Sequence, residues 1–412
     1  MILKTTNNDL IILRELAKLY IDICNNPDQQ RRRRLWRELN GLQSTSPAIY
    51  IRAYAWNEMP QSKCQCRDPL LLEYEEFFRK AIFLDTVKDD SIFEPWVTVQ
   101  AEHMLPPQGI WGLPVVWHGK EGGGAGKLES PLSELADIDK LVEPNHQIDE
   151  AATAKKLELI QEAIGDIVPV IVDRAPIWRM WHGEISTDLG QLRGLEQILW
   201  DMVDQPQWLH QLLAFMRDGI LKTHAQAEKA GDWRLCDHQN QAMTYSSDLP
   251  DPSLSKNPAV RKQLWYYCAS QEFTLVGPEM WNEFMLQYQL PIMQQFGLAA
   301  YGCCENLTQK ISLLRQIPNL RRIAVSPFAD VQKCAEQIGR DYVMSYRPSP
   351  AEMVSRDFDE QKIRDMLRRD FSILRGCYFD ITLKDVETVQ SDPNRIAKWV
   401  KIVREILDEM NI

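Results

Sequence analysis

Apolar residues recur along this chain with two different periods. Between residues 1 and about 45, Leu10, Leu13, Leu16, Ala17 and Tyr20 fall at helical spacing, and Leu35, Trp36 and Leu39 resume it after a break at Asn25-Asn26-Pro27. From residue 48 the pattern changes. Short runs predict strands: AIYIRAY (48–54), PWVTVQ (95–100), VPVIV (168–172), RLCDH (234–238), EFTLV (272–276), LAAYGC (298–303), RRIAVS (321–326), DYVMSY (341–346) and GCYFDITL (376–383). Amphipathic helices are predicted at 278–296, 307–316, 329–338 and 359–370, and a longer one at 194–229 is interrupted near Pro206.

Repeated β-α alternation predicts a parallel sheet, and about eight such units close most economically into a (β/α)8 TIM barrel. The competing open, doubly wound sheet lacks a glycine fingerprint after its first strand. The expected organisation is an N-terminal helical extension at 1–45 and a barrel at 46–412. An insertion at about 104–166 covers one end. Its glycine-rich stretch GKEGGGAGK (119–127) fails as a phosphate loop, because Glu121 stands where glycine is needed and Leu128 where Ser or Thr is needed. A flexible lid is the expectation there.

With 412 residues, 44% hydrophobic and 25% charged, the chain has the balance of a globular protein. A net charge of -11 argues against nucleic acid or an anionic membrane as the main partner. No apolar run approaches the ~20 residues of a membrane span, and the N-terminus mixes charges into its apolar positions, so a cytoplasmic location is expected. The run Arg31 to Arg34 reads as the solvated side of a helix. Nine cysteines without an export signal predict reduced thiols. Cys24, Cys236, Cys268 and Cys334 sit in apolar segments and read as packing, while Cys64 and Cys66 read as a spare exposed pair.

The chemistry concentrates in the second half. Tyr301-Gly302-Cys303-Cys304-Glu305-Asn306 ends a predicted strand, which in a barrel is the mouth where site residues collect. Cys377 lies at the end of the last strand candidate. Two thiolates from different strand ends with an oxygen or nitrogen ligand suit a zinc ion that keeps one position open. Adjacent strand cysteines normally face opposite ways, so packing is the competing role for one of Cys303 and Cys304. Glu272 and His238 are acid/base candidates near strand ends. Glu58, His103, Tyr301 and Trp181 are candidates for the substrate pocket, together with Trp56, Trp111, His118 and Trp178. His182 and Glu184 read as a loop pair.

The stretch GPEMWNEFMLQYQLPIMQQFGLAAYGCCENLTQKISLL (277–314) resembles the uroporphyrinogen decarboxylase-like superfamily, and 318–350 and 376–400 fit its later β-α units. The region YAWNEMPQSKCQCRD lacks the arginine cluster of the porphyrinogen decarboxylases. The chain is more similar to the methyltransferase branch, which binds zinc through His-x-Cys at one strand end and a second Cys at the last strand. The resemblance implies metal ligation by Cys303, Cys304 and Cys377. Tyr301 or Gly302 stands where the histidine is expected, so Glu305, Glu272 or His238 would replace it. It further implies methyl transfer between a small-molecule donor or a thiol acceptor and a corrinoid protein, with a homodimer as the oligomer allowed for. Two other readings stand beside it. One is a metal-free lyase acting on a carboxylated substrate through Asp173, Arg174 and Arg347, and the other a non-catalytic subunit that binds a corrinoid protein.

Overall fold

The computed structural model describes residues 7–119 and 126–412, so most of the expected lid lies outside the described residues. The strands are β1 (Ala48–Ile51), β2 (Val97–Gln100), β3 (Val116–His118), β4 (Lys127–Glu129), β5 (Val170–Asp173), β6 (Trp265–Cys268), β7 (Leu298–Tyr301), β8 (Leu320–Val325), β9 (Val343–Tyr346) and β10 (Tyr378–Leu383). Six of them form one parallel sheet in the order β1-β10-β9-β8-β7-β6. β2 and β5 form a separate parallel pair, and β3 with β4 a short hairpin in the insertion. Every residue of β6, β7 and β9 is buried, as parallel strands covered on both faces require.

The expected TIM barrel is therefore realised as a curled half-barrel with a two-stranded piece beside it, and the strand ladder is not closed among the described residues. Two local causes are visible. At the edge of β1 the amides that would face another strand are taken by buried carboxylates: Ile49 N–H donates to Asp90 Oδ2 (2.9 Å) and Ile51 N–H to Asp89 Oδ2 (2.8 Å). Between β5 and β6 the predicted strand RLCDH is a set of turns, because the Asp237 carboxylate accepts the Arg234 N–H at 2.6 Å and folds the backbone back on itself.

Two further strand expectations change. EFTLV is a 3-10 turn, Gln271–Phe273, followed by a Leu275 that is 91% exposed. The strand belongs instead to Trp265–Cys268, whose uniformly buried WYYC gives no alternation to read. The helix expected at 278–296 is broken into Pro278–Trp281, a π-helical turn Asn282–Leu286 and Gln287–Met293, which carries Pro291 inside it.

Helices Asn7–Cys24 and Asp28–Asn40 precede β1. The first packs on helices Pro69–Val87 and Glu150–Ile164, so the last part of the expected insertion is a helix of the body that leads into β5. The arginine run is a solvated face only in part: Arg31 and Arg34 are exposed, Arg32 and Arg33 are not. Arg31 pairs with Asp28 and Asp90, Arg32 is buried on Asp28 and the Ser91 carbonyl, and Arg33 meets Glu94 and Tyr245. These pairs fasten the second helix to the segment that caps β1. Of the lone CxC, Cys66 is buried and Cys64 half-buried, so the pair is not exposed. Among the described residues, no helix is long and apolar enough to cross a membrane.

Inside the sheet, Arg322 of β8 is fully enclosed, donating to Asp380 of β10 and to Asn40 Oδ1 (2.6 Å) over the Trp36 ring. Replacing Arg322 with Ala strands the buried Asp380 carboxylate, and denaturant unfolding should show a loss of ~3–5 kcal/mol, partly recovered in the Arg322→Ala/Asp380→Ala double variant. Burial lowers His103 and His238 to about 4 and His224 to about 3. A histidine with a depressed folded value stabilises the fold above its unfolded value of ~6.5 and loses that contribution as pH falls through the folded value. The melting temperature should therefore drop between about pH 6.5 and pH 4; a flat or rising profile would contradict this assignment.

Candidate functional site

Gly302 ends β7 in a left-handed conformation (φ +103°), and a Cβ there would lie 2.7 Å from Leu307 Cδ1 and 2.9 Å from Ala324 Cβ. Glycine is thus required both for the turn and for its closeness to β8. The turn delivers Cys303 and Cys304 to the C-terminal mouth of the sheet. Glu305 then holds the turn: one carboxylate oxygen accepts the Cys303 N–H (2.7 Å) and the other the Ser270 N–H (2.9 Å). Both of its oxygens face backbone amides, which corrects its expected role as a metal ligand.

The two sulfurs are 3.5 Å apart, Cys303 buried and Cys304 half-buried. Lys384, the residue after β10, points its ammonium at both, 3.1 Å from Cys303 Sγ and 3.3 Å from Cys304 Sγ. Its third contact is Asp385 Oδ2 at 3.0 Å, and that carboxylate oxygen lies 3.4 Å from Cys304 Sγ. Two of the ammonium's three donors are thus spent on sulfur, and Asp385 adds an ion pair. Arg347, after β9, adds a second positive charge by donating to the Cys303 carbonyl at 2.6 Å.

These neighbours set the acidity of the pair. Hydrogen bonding from Cys304, followed by the charges of Lys384 and Arg347, outweighs burial and holds Cys303 well below the ordinary thiol range. The same contact with Cys303, reinforced by burial, pushes Cys304 up. The pair therefore shares a proton, with Cys303 the more acidic of the two sulfurs. Beneath it the sheet interior is nearly filled: a cavity of about 10 Å³, lined by Gln241, Tyr267, Ser345 and Arg347 among others, has room for about one water. A reactant reaches the sulfurs from the mouth side, where Cys304 and Asp385 are open to solvent.

The remaining expected site residues divide. Trp181 belongs here, packing edge-on to Tyr267 (5.5 Å) in the apolar cluster that holds Cys303 and Cys304. Tyr301 is buried below the mouth, its hydroxyl bonded to Gln289 Oε1 and Ser270 Oγ, so it supports the floor and is not a pocket wall. Cys377 precedes β10, whereas Lys384 follows it, which puts Cys377 ~20 Å away at the opposite end of a six-residue strand. It cannot share a metal with Cys303. His238 accepts the Trp265 N–H and meets the Pro250 carbonyl, spending both ring nitrogens on backbone at the start of β6, again the far end. Glu272 accepts from Ser186 and Thr187 beside the buried Glu184 and does not contact the thiols. Glu58 caps the Val389 and Ser391 amides. His103 follows β2 beside His146, their rings 5.6 Å apart. Trp111 lines a separate cavity of about 410 Å³ with His182 and Asp188 under the insertion.

Of the lyase set, Arg174 is engaged by Glu150 and Asp232, and Asp173 by Arg179. Arg174 is therefore not free to grip a carboxylate, and Asp173 is not free as a general base. Among the described residues no three His, Cys, Asp or Glu side chains form a group able to hold a metal ion. Lys384 occupies the position in front of the two thiols.

No protein-family model and no curated protein matches the chain in sequence. Its fold is similar to that of a solved methyltransferase from Methanosarcina mazei, with a TM-score of 0.53 at 11% identity, over 92% of this chain and 98% of that one. At that identity the likeness concerns the α/β fold alone.

Proposed function

We propose that the chain is a methyltransferase of the uroporphyrinogen decarboxylase-like kind that receives a methyl group from a small heteroatom donor on the Cys303 sulfur. The observation that carries this reading is the Cys303–Cys304 pair under one lysine at the mouth of the sheet. The likeness in fold to a methyltransferase supports it.

The chemistry balances within the pair. Cys303 thiolate attacks the methyl carbon, forming an S–CH3 bond as the bond from carbon to the donor heteroatom breaks. The departing heteroatom takes the proton of Cys304, which becomes the thiolate. Because Lys384 reaches both sulfurs at nearly equal distance, the negative charge stays compensated before and after transfer. Trp181 provides an apolar wall for the methyl-bearing group. A corrinoid on a separate protein would supply a reduced cobalt able to take the methyl group onward. A docking face for such a partner is supported by Leu275 and Phe328, 91% and 76% exposed, on the loops bonded to Asn306 just beyond the thiols.

Methyl iodide is a direct probe of the accepting sulfur. Limited reaction followed by peptide mass spectrometry should find the methyl group first on Cys303, and Cys303→Ser should abolish the fast phase; preferential labelling of Cys64 or Cys377 would sink the assignment. The lowered Cys303 value means that the thiolate is lost only as pH falls through that value. The fast phase should therefore be nearly flat between about pH 6 and pH 8, where an ordinary thiol of pKa ~8.5 would accelerate with pH. Cys304→Ala/Lys384→Ala, which removes the hydrogen bond and the nearest charge that hold Cys303 down, should bring back that climb and slow the reaction at pH 6 by ~10-fold or more.

A further inference from the structure

His182 lies in the 3-10 turn Met180–His182 after β5, and Asp188 in the first turn of the helix Ser186–Arg193. His182 Nδ1 meets Asp188 Oδ1 at 2.8 Å, and the Trp111 indole N–H donates to the other oxygen, Oδ2, at 2.6 Å. Asp188 and Trp111 are buried, whereas the His182 side chain is 43% exposed. With both of its oxygens engaged, Asp188 is fixed, and it fixes the imidazole in turn. Among the described residues, Nε2 on the far side of that ring has no partner.

The turn between the two residues is held in a conformation that its sequence disfavours. Ile185, a buried β-branched residue, has φ +72°, and Met180 has φ +48°. The Tyr266 hydroxyl donates to the Gly183 carbonyl (2.7 Å) and Gln289 Nε2 to the Glu184 carbonyl (2.6 Å), so the surrounding core dictates where His182 stands.

His182 and Asp188 line the cavity of about 410 Å³ under the insertion, a size ordinary for a small-molecule site. Ile110, Trp111, Leu113 and Leu192 give it apolar walls. Among the described residues, His182 and Asp188 are its titratable lining, no Lys or Arg joins them, and neither Cys303 nor Cys304 reaches it. Such a cavity selects by charge. An anion finds no cation except a ring already paired to a carboxylate, and a cation finds that carboxylate spent on His182 and Trp111. A neutral ligand with an apolar body and one acidic hydroxyl finds both a wall and a proton acceptor. The hydrogen bond with Asp188 raises His182 above the ordinary histidine value, which makes the neutral ring a stronger base. A phenol suits that base better than an aliphatic alcohol, because its ring delocalises the charge that develops on oxygen.

We infer that this cavity binds a small hydroxyaromatic ligand, whose ring lies against the apolar walls and whose hydroxyl donates to His182 Nε2, with Asp188 and Trp111 as positioning residues for the imidazole. The inference goes beyond methyl transfer to Cys303 and does not depend on it, since it concerns other residues and is read by binding alone.

The test uses the full reduced chain and three probes of one shape, p-cresol, 4-methylanisole and p-toluate, with binding followed by titration calorimetry. p-Cresol should bind ~5-fold or more tightly than 4-methylanisole, in which a methyl group replaces the donated proton. That preference should grow between about pH 6 and pH 8, as His182 gives up its own proton while the phenol, with a pKa of ~10, keeps its proton. His182→Phe, which keeps the bulk and removes the acceptor, should bind the two probes alike. Asp188→Asn, which makes the ring a weaker base, should move the rise to lower pH. On the native chain, which needs no variant to fold, equal binding of p-cresol and 4-methylanisole, tighter binding of p-toluate, or binding of none of the three would overturn the inference.

Discussion

The amides at the edge of a half-closed sheet have to be paired, and in this protein buried carboxylates do it. Asp89 and Asp90 take the N–H groups that β1 would otherwise offer to another strand. Enclosed carboxylates in turn need positive partners. Arg31 and Arg404 reach Asp90 from the N-terminal and C-terminal helices, so both ends of the chain are drawn to the same strand edge. A buried arginine repeats the scheme within the sheet, where Arg322 links Asp380 to Asn40 of the second helix. The helical extension is thus fastened to the sheet by charge as well as by apolar contact.

The same rule builds the mouth. A sulfur anion enclosed by Trp181, Tyr267 and the ends of β6 and β7 cannot persist without compensation, and Lys384 and Arg347 supply it from the ends of β10 and β9. The separation of roles between the two cysteines follows from their different positions. Cys303 is enclosed among the positive groups, and Cys304 is half open beside Asp385, whose negative charge disfavours a second thiolate.

Much of this was legible in the sequence because buried parallel strands read as apolar runs. VPVIV, LAAYGC, DYVMSY and GCYFDITL lie within a few residues of observed strands. RLCDH did not survive because a single side-chain bond to the backbone, invisible to periodicity, turned it, and EFTLV closes into a turn through its own backbone, Phe273 N–H to the Ser270 carbonyl and Thr274 N–H to the Gln271 carbonyl. WYYC was missed because four buried residues in a row carry no period. At the site, Cys303 and Cys304 were found from a strand-end motif, but the partner was sought at the wrong end of the last strand. Strand direction was available: in a parallel sheet only C-terminal ends meet at the mouth, so the residues following GCYFDITL, Lys384 and Asp385, were the ones to inspect. The half-closed ladder was not legible, because nothing in a carboxylate pair such as Asp89-Asp90 announces that it will take strand amides.

Lys384 and Cys303 follow strands that are three ladder steps apart, ~14 Å along a flat sheet. They touch only because the sheet curls and brings distant strand ends face to face across its concave side. The positive charge beside the sulfur is then a property of curvature. A nascent or partly unfolded chain keeps Cys304 next to Cys303 but lacks Lys384 and Arg347 there, so part of the thiolate's stabilisation arrives only when the last strand docks.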